Sequence, residues 1–115
     1  HVQVVTVVTR LLAVFGDSDS SCAGGKLPMG HVTRAAAKEF AARVISLTAV
    51  GQSSMDTPFV NGQVTPERVG FHRSQAINGD LTKIEDISPI IRFLATDGWW
   101  ITGQTIFANG GYTTR

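Results

Sequence analysis

The octapeptide VQVVTVVT, residues 2–9, restricts the folds open to this chain more than any other stretch. Every residue in it except Gln3 is β-branched. Such side chains are stiff about χ1 and pack well on a pleated surface. The run lacks strict polar–apolar alternation, so the strand is expected to be buried on both faces, as in a parallel sheet. Parallel neighbours cannot be joined by tight hairpins. Each connection crosses over the sheet, usually as a helix, and the remaining sequence should alternate helices with further strands.

That alternation is visible. Residues 16–25, GDSDSSCAGG, read as a loop of small polar residues and glycine. A helix is predicted from about Pro28 to Arg43, with Pro28 in its first turn and Val32, Ala35, Ala36, Glu39 and Phe40 along one stripe. The alanines keep that stripe flat, which favours close approach of another helix. VISLTAV, residues 44–50, is the second strand, and residues 51–64 are a loop. Thr65-Pro66-Glu67 supplies a cap, an N1 proline and an acid for a short helix ending near Ser74. Thr82-Lys83-Ile84-Glu85 fits a capping box that opens a helix with Ile87, Ile90, Ile91 and Leu94 inward. Pro89 should bend it and Asp97-Gly98 should stop it. ITGQTIFANGG, residues 101–111, gives the third strand and a glycine turn. The order β-α-β-α-α-β predicts an α/β fold. Its centre is a three-stranded, mostly parallel sheet flanked by helices and joined by right-handed crossovers. With 115 residues and 43% hydrophobic content, residues 1–115 are expected to form a single domain.

Composition removes several function classes. A net charge of +1 with scattered basic residues argues against a nucleic-acid partner. His1, His31 and His72 are too far apart for zinc-type spacing, so no metal site is expected. The run from Val2 to Phe15 is broken by Gln3, Thr6, Thr9 and Arg10, which excludes a membrane span, and it lacks the basic start of a signal peptide. One cysteine forms no internal disulfide, so a reducing, cytoplasmic location is the expectation. The chain starts with His1 rather than Met, which leaves room for an upstream segment.

HVTRAAAKEFAARVISLTAV, MDTPF and EDISPIIRFLATDGWWITGQTIFANGGY together resemble the C-terminal half of the short-chain dehydrogenase/reductases. The resemblance runs from the first strand to Tyr112 and is most specific from Glu85 onward. It implies the last three strands of a doubly wound, Rossmann-type sheet, half of that fold. It also implies the ancestry of an NAD(P)-dependent oxidoreductase acting on a small molecule. The family's glycine-rich phosphate loop belongs to its other half, and no Gly-x-Gly-x-x-Gly occurs here. Gly24-Gly25-Lys26 is no substitute, because a nucleotide-triphosphatase loop would need glycine at Ser20 and Ser or Thr at Leu27. A dinucleotide would therefore lack its pyrophosphate anchor.

The family's catalytic pair is Tyr-x-x-x-Lys, and CAGGK, residues 22–26, falls on it with the lysine kept and the tyrosine replaced. By this resemblance Lys26 binds the nicotinamide ribose and lowers the pKa of the acid beside it. Cys22 takes the place of the proton-donating phenol, and Thr9, thirteen positions earlier, that of the orienting serine. Thr57, in MDTPF, would contact the nicotinamide side. Two departures stand out. A phenol oxygen reaches about 4 Å further than a thiol, so Cys22 would not meet the same substrate oxygen, and proton transfer needs that contact. The family's Pro-Gly before MDTPF is here Gln52-Ser53.

Two alternatives compete. LLAVFGDSDS, residues 11–20, resembles the first block of the GDSL-type ester hydrolases, making Ser18 a candidate nucleophile. That family also requires Asp-x-x-His, whereas Asp97 is followed by Trp100 and His72 is preceded by Val69 at that spacing. Cys22 is the other candidate nucleophile for such chemistry. The last alternative is a non-catalytic oligomeric domain. Under every reading the first strand keeps an open edge without helix cover, so a homodimer or larger homo-oligomer is expected, with the alanine face and Trp99–Trp100 as contacts.

Overall fold

A computed structural model of the chain describes residues 2–9, 20–53, 55, 66–112 and 114; for Thr9 and residues 20–27 it describes the backbone alone. Strand β1 runs Val2–Thr9, helix α1 Ser20–Glu39, strand β2 Ile45–Gln52, helix α2 Pro66–Ser74, helix α3 Ile84–Ala95 and strand β3 Thr105–Ala108. The three strands form one sheet in the order β1-β2-β3, and both pairings are parallel. The expected α/β architecture is therefore present, with parallel pairing throughout the described sheet.

The central strand is the most deeply covered. Ser46, Thr48, Ala49, Val50 and Gly51 are all buried. Val50 packs with Ile87 and Leu94 of α3, and Val5, Met55, Ile90, Ile91, Ile101 and Ile106 close around them. This is the inward face expected of α3. Strand geometry puts Ala49 on the opposite face, where α1 lies against β1 and β2. The hydroxyls of Ser46 and Thr48 donate to the Ile101 carbonyl at 2.9 and 2.6 Å, so these two buried hydroxyls on β2 are satisfied. The same clasp continues from Gly103 N–H to the Leu47 carbonyl at 2.7 Å. It ties the approach to β3 onto β2 before the β-ladder begins.

Helix α1 corrects the sequence reading. It starts at Ser20, not Pro28, so residues 20–25 are helical rather than loop, and Pro28 lies inside the helix. Gly24, Gly25 and Pro28 are poor helix formers, but crossover geometry outweighs them. A strand of 8 residues is about 26 Å long at roughly 3.3 Å per residue. A helix returning along it needs about 17–18 residues at 1.5 Å each; α1 has 20. Among residues 28–39 its buried positions are Gly30, Thr33 and Ala37, while Val32, Ala35 and Glu39 face solvent. The predicted stripe is thus mostly the outer face. Thr33 is accommodated inside because its hydroxyl donates to the Met29 carbonyl at 2.7 Å.

The start of α3 is shifted by one residue from expectation. Lys83 is the N-cap, and the Asp86 carboxylate accepts its N–H at 2.9 Å. Lysine has no acceptor to return the bond, so half of a capping box operates. Helix α3 continues through Pro89 to Ala95. It then stops as predicted near Gly98, whose N–H donates to the Phe93 carbonyl at 2.7 Å. A Cβ there would lie 2.9 Å from Phe93 Cε1 and 3.0 Å from the Phe93 carbonyl oxygen, so only glycine fits.

Strand β1 is not buried on both faces. Val2, Val4 and Val7 are 57, 41 and 46% exposed. Among the described residues its only neighbour is β2, and its span contains no proline or lysine of the kind that blunts an edge. Among the described residues the open edge expected from the sequence is present, but the expected lack of helix cover is not: α1 and α3 both contact β1.

One backbone position carries strain. Val44 joins the short 3-10 turn Ala41–Arg43 to β2 with φ 58° and ψ 42°, the left-handed region. A β-branched residue is a rare occupant of that region. Replacing Val44 with glycine is expected to stabilise the chain by about 1 kcal/mol, raising Tm by roughly 4–8 °C. Calorimetry of the two proteins checks this, and a lower Tm for Val44→Gly would contradict it.

Candidate functional site

Register fixes where the candidate site lies. Thr9 pairs with Gln52 and Gln52 with Ala108, so the final residues of all three strands form one row at the C-terminal edge of the sheet. Open α/β sheets bind ligands at this edge. Helix α1 follows β1 and runs back toward the start of β2, so its first turns begin on the same side as the row. Cys22 and Lys26 lie in these turns, four residues apart and one helical turn from each other. The topology therefore brings Thr9, Cys22 and Lys26 to one end of the fold. Ser18 and Thr57 lie outside the described residues.

Beyond the row, Ser53 Oγ and Thr82 Oγ1 hydrogen-bond at 2.9 Å, and Met55 bridges to Thr82 in parallel fashion. These contacts fold the chain after β2 toward the start of α3. A cavity of about 270 Å³ opens beside them, lined by Ile77, Asp80, Thr82, Asp86, Ile87 and Ala108 among others. The Asp80 carboxyl is held below the usual carboxylate range, chiefly because it accepts the Leu81 N–H. Lys83 and Arg73, each 3.6 Å away, add to that effect.

Helix α2 has no buried residue. The His72 ring nitrogen Nδ1 and the Tyr112 hydroxyl are hydrogen-bonded at 2.8 Å, and Ile77 N–H donates to the Gly110 carbonyl at 2.8 Å. These polar contacts attach the segment to the turn that follows β3. At the other end of β2, Val44, Ile45, Trp99, Trp100 and Thr102 line a second cavity, of about 390 Å³. Trp99 and Trp100 meet edge to face with centroids 5.2 Å apart, and Trp100 is 81% exposed. No three-residue cluster of His, Cys, Asp or Glu among the described residues is arranged to hold a metal.

Sequence reasoning missed one feature of the row. Gln52 Oε1 is shut off from solvent and receives no hydrogen bond from the described residues. The signal was present as the Gln52-Ser53 departure from Pro-Gly, but the sequence does not reveal burial of a single atom.

Comparison with known proteins agrees with the geometry. A family model described as enoyl-(acyl carrier protein) reductase matches residues 4–113. The chain is 34% identical to cis-4-hydroxycyclohexanecarboxylate dehydrogenase of Sinomonas cyclohexanicum, over 96% of this chain and 44% of that protein. It is 29% identical to NADPH-dependent aldehyde reductase 2 of Arabidopsis thaliana, a chloroplast protein, over 95% of this chain and 40% of that one. A Burkholderia cenocepacia protein described as a dehydrogenase and solved with NADP bound superposes with a TM-score of 0.92. It is 50% identical, over 98% of this chain and 44% of its own. A glucose/ribitol dehydrogenase from Brucella melitensis, titled a short-chain dehydrogenase/reductase, shares the fold at a TM-score of 0.87 and 24% identity, over 98% of this chain and 46% of that one. The chain spans less than half the length of each of these proteins. The comparisons lend no support to the ester-hydrolase reading of Ser18.

Proposed function

Because the chain belongs to the short-chain dehydrogenase/reductase family, we propose that it carries the catalytic half of an NAD(P)-dependent oxidoreductase whose carbonyl-reducing activity is impaired. The observation that carries this reading is the Cys22…Lys26 pair in the opening turns of α1, beside the strand-end row of Thr9, Gln52 and Ala108. A reductase of this kind needs a proton donor, a cation to lower its pKa and a hydroxyl to orient the carbonyl. Cys22, Lys26 and Thr9 are the residues offered for those roles.

The residues present fit only one end of the cofactor. The strand-end row of Thr9, Gln52 and Ala108 lies where open α/β sheets bind ligands and suits the nicotinamide end, and Lys26 and Thr57 would hold the ribose and ring. Nothing in the sequence provides the glycine loop for the pyrophosphate. When bound, NAD(P)H supplies hydride to a small carbonyl substrate. The protein's part is to deliver the proton to the carbonyl oxygen. The Cys22 side chain is shorter than a phenol by about 4 Å, and a donor that does not reach the carbonyl oxygen slows the reaction.

Assembly completes the proposal. The open edge and exposed valines of β1, the outer face of α1 with Val32 54% exposed, and Trp100 leave apolar surface that a second copy would cover. The family's relatives and this surface support a homo-oligomer. Sizing with light scattering should give at least twice the mass of the chain; a monodisperse monomer contradicts it. No helix among the described residues is long and apolar enough to cross a membrane.

Restoring the phenol tests the catalytic reading. With millimolar NADPH and an aldehyde, the wild-type chain should reduce carbonyl at or near background. Cys22→Tyr should raise the rate at least tenfold, equivalent to about 1.4 kcal/mol of barrier, and the gain should vanish in Cys22→Tyr/Lys26→Met. Reduction by the wild type at an ordinary rate, or no gain from tyrosine, would contradict the reading.

A further inference from the structure

Helix α1 leaves a cleft against the last strand of the sheet. Alternation along β3 turns Ile106 and Ala108 toward α3, where both pack, and Thr105 and Phe107 toward the α1 side. Their partners on β2 are Ala49 and Gly51, too small to fill the space beside them. Gly30 of α1 adds no side chain either. A cavity of about 170 Å³ remains, lined by Gly30, His31, Arg34, Thr105 and Phe107. At about 3.6 residues per turn, His31 and Arg34 lie round from Gly30 on one flank of α1, apart from the outer face that carries Val32. Both are exposed, and neither has an ion-pair or hydrogen-bond partner among the described residues. The Thr105 hydroxyl is likewise unengaged by them. Convergent polar groups beside an aromatic wall are the makings of a small-molecule site.

We propose that this cleft binds a small aromatic carboxylate, at a site separate from the strand-end row. The Arg34 guanidinium offers a planar fork of donors that matches a carboxylate at both oxygens. His31 adds a ring N–H, and the Phe107 ring packs against the ring of the ligand. Inorganic phosphate would satisfy Arg34 and His31 but leave the Phe107 wall open to water. A neutral aromatic molecule would cover Phe107 but leave the Arg34 charge unpaired. The cavity is smaller than the roughly 300–1,000 Å³ of sites for drug-sized ligands, so it admits one ring and its acid group. The site requires nothing of Cys22 or Lys26 and is independent of the oxidoreductase reading.

Titration of the isotope-labelled 115-residue chain with benzoate, followed by amide NMR shifts, tests this. The shifts should centre on His31, Arg34 and Phe107 and saturate with a Kd of about 1 mM. Benzamide, a neutral molecule of the same shape, and inorganic phosphate should each bind about tenfold more weakly. Arg34→Gln should weaken benzoate about tenfold. Because Arg34 is exposed, that variant should melt as wild type does. Lys38→Gln removes a cation from the same flank outside the cavity and should change affinity by about twofold at most. No binding, or shifts centred on the strand-end row, overturns the proposal. So does benzamide or phosphate binding as tightly as benzoate, or an equal loss in Lys38→Gln and Arg34→Gln. If Arg34→Gln does not fold, the comparison of benzoate with benzamide and phosphate on wild type still decides.

Discussion

Parallel pairing of β2 with both neighbours is the constraint on which the other features depend. It fixes a register in which Thr9, Gln52 and Ala108 end together, and a slip of one residue would turn each side chain to the wrong face. The Ile101 carbonyl reinforces that register by accepting from both Ser46 and Thr48. Both hydroxyls are thereby satisfied within the central strand. The sheet is small, and its order comes from β2 being held on both edges and covered on both faces.

Much of the fold was legible because its strongest signals are local. The β-branched run placed β1 at residues 2–9, as observed, and the isoleucine spacing identified the buried face of α3. Errors arose where distant geometry overrules local preference. Gly24, Gly25 and Pro28 argue against helix individually, yet the crossover must run the length of the strands it connects, so α1 includes all three. The inner stripe of α1 was misassigned for a related reason. Gly30, Thr33 and Ala37 are too small to register as an apolar face, but a tight approach between helix and sheet selects small residues. Likewise Val44 gives no sequence sign of its left-handed backbone.

The candidate site was legible as a pattern and not as an arrangement. Lysine four places after cysteine, and threonine thirteen before it, marked the candidate positions; the fold explains why such spacing converges at one end of the sheet. The empty Gln52 acceptor came from the structure, since a glutamine at a strand end is unremarkable until its environment is known. On the proposed reading, these features belong to a reductase scaffold that keeps the end where a nicotinamide and carbonyl would meet. The 115 residues contain neither a Gly-x-Gly-x-x-Gly loop to grip a dinucleotide nor a tyrosine four places before Lys26.

The central claim is that only the nicotinamide end of the cofactor finds partners in this chain. Isothermal titration of the 115-residue protein with NADPH, and separately with reduced nicotinamide mononucleotide, measures it directly. The account predicts affinities within about tenfold of each other, less than roughly 1.4 kcal/mol for the entire adenylate half. NADPH binding a hundredfold tighter than the mononucleotide would contradict it.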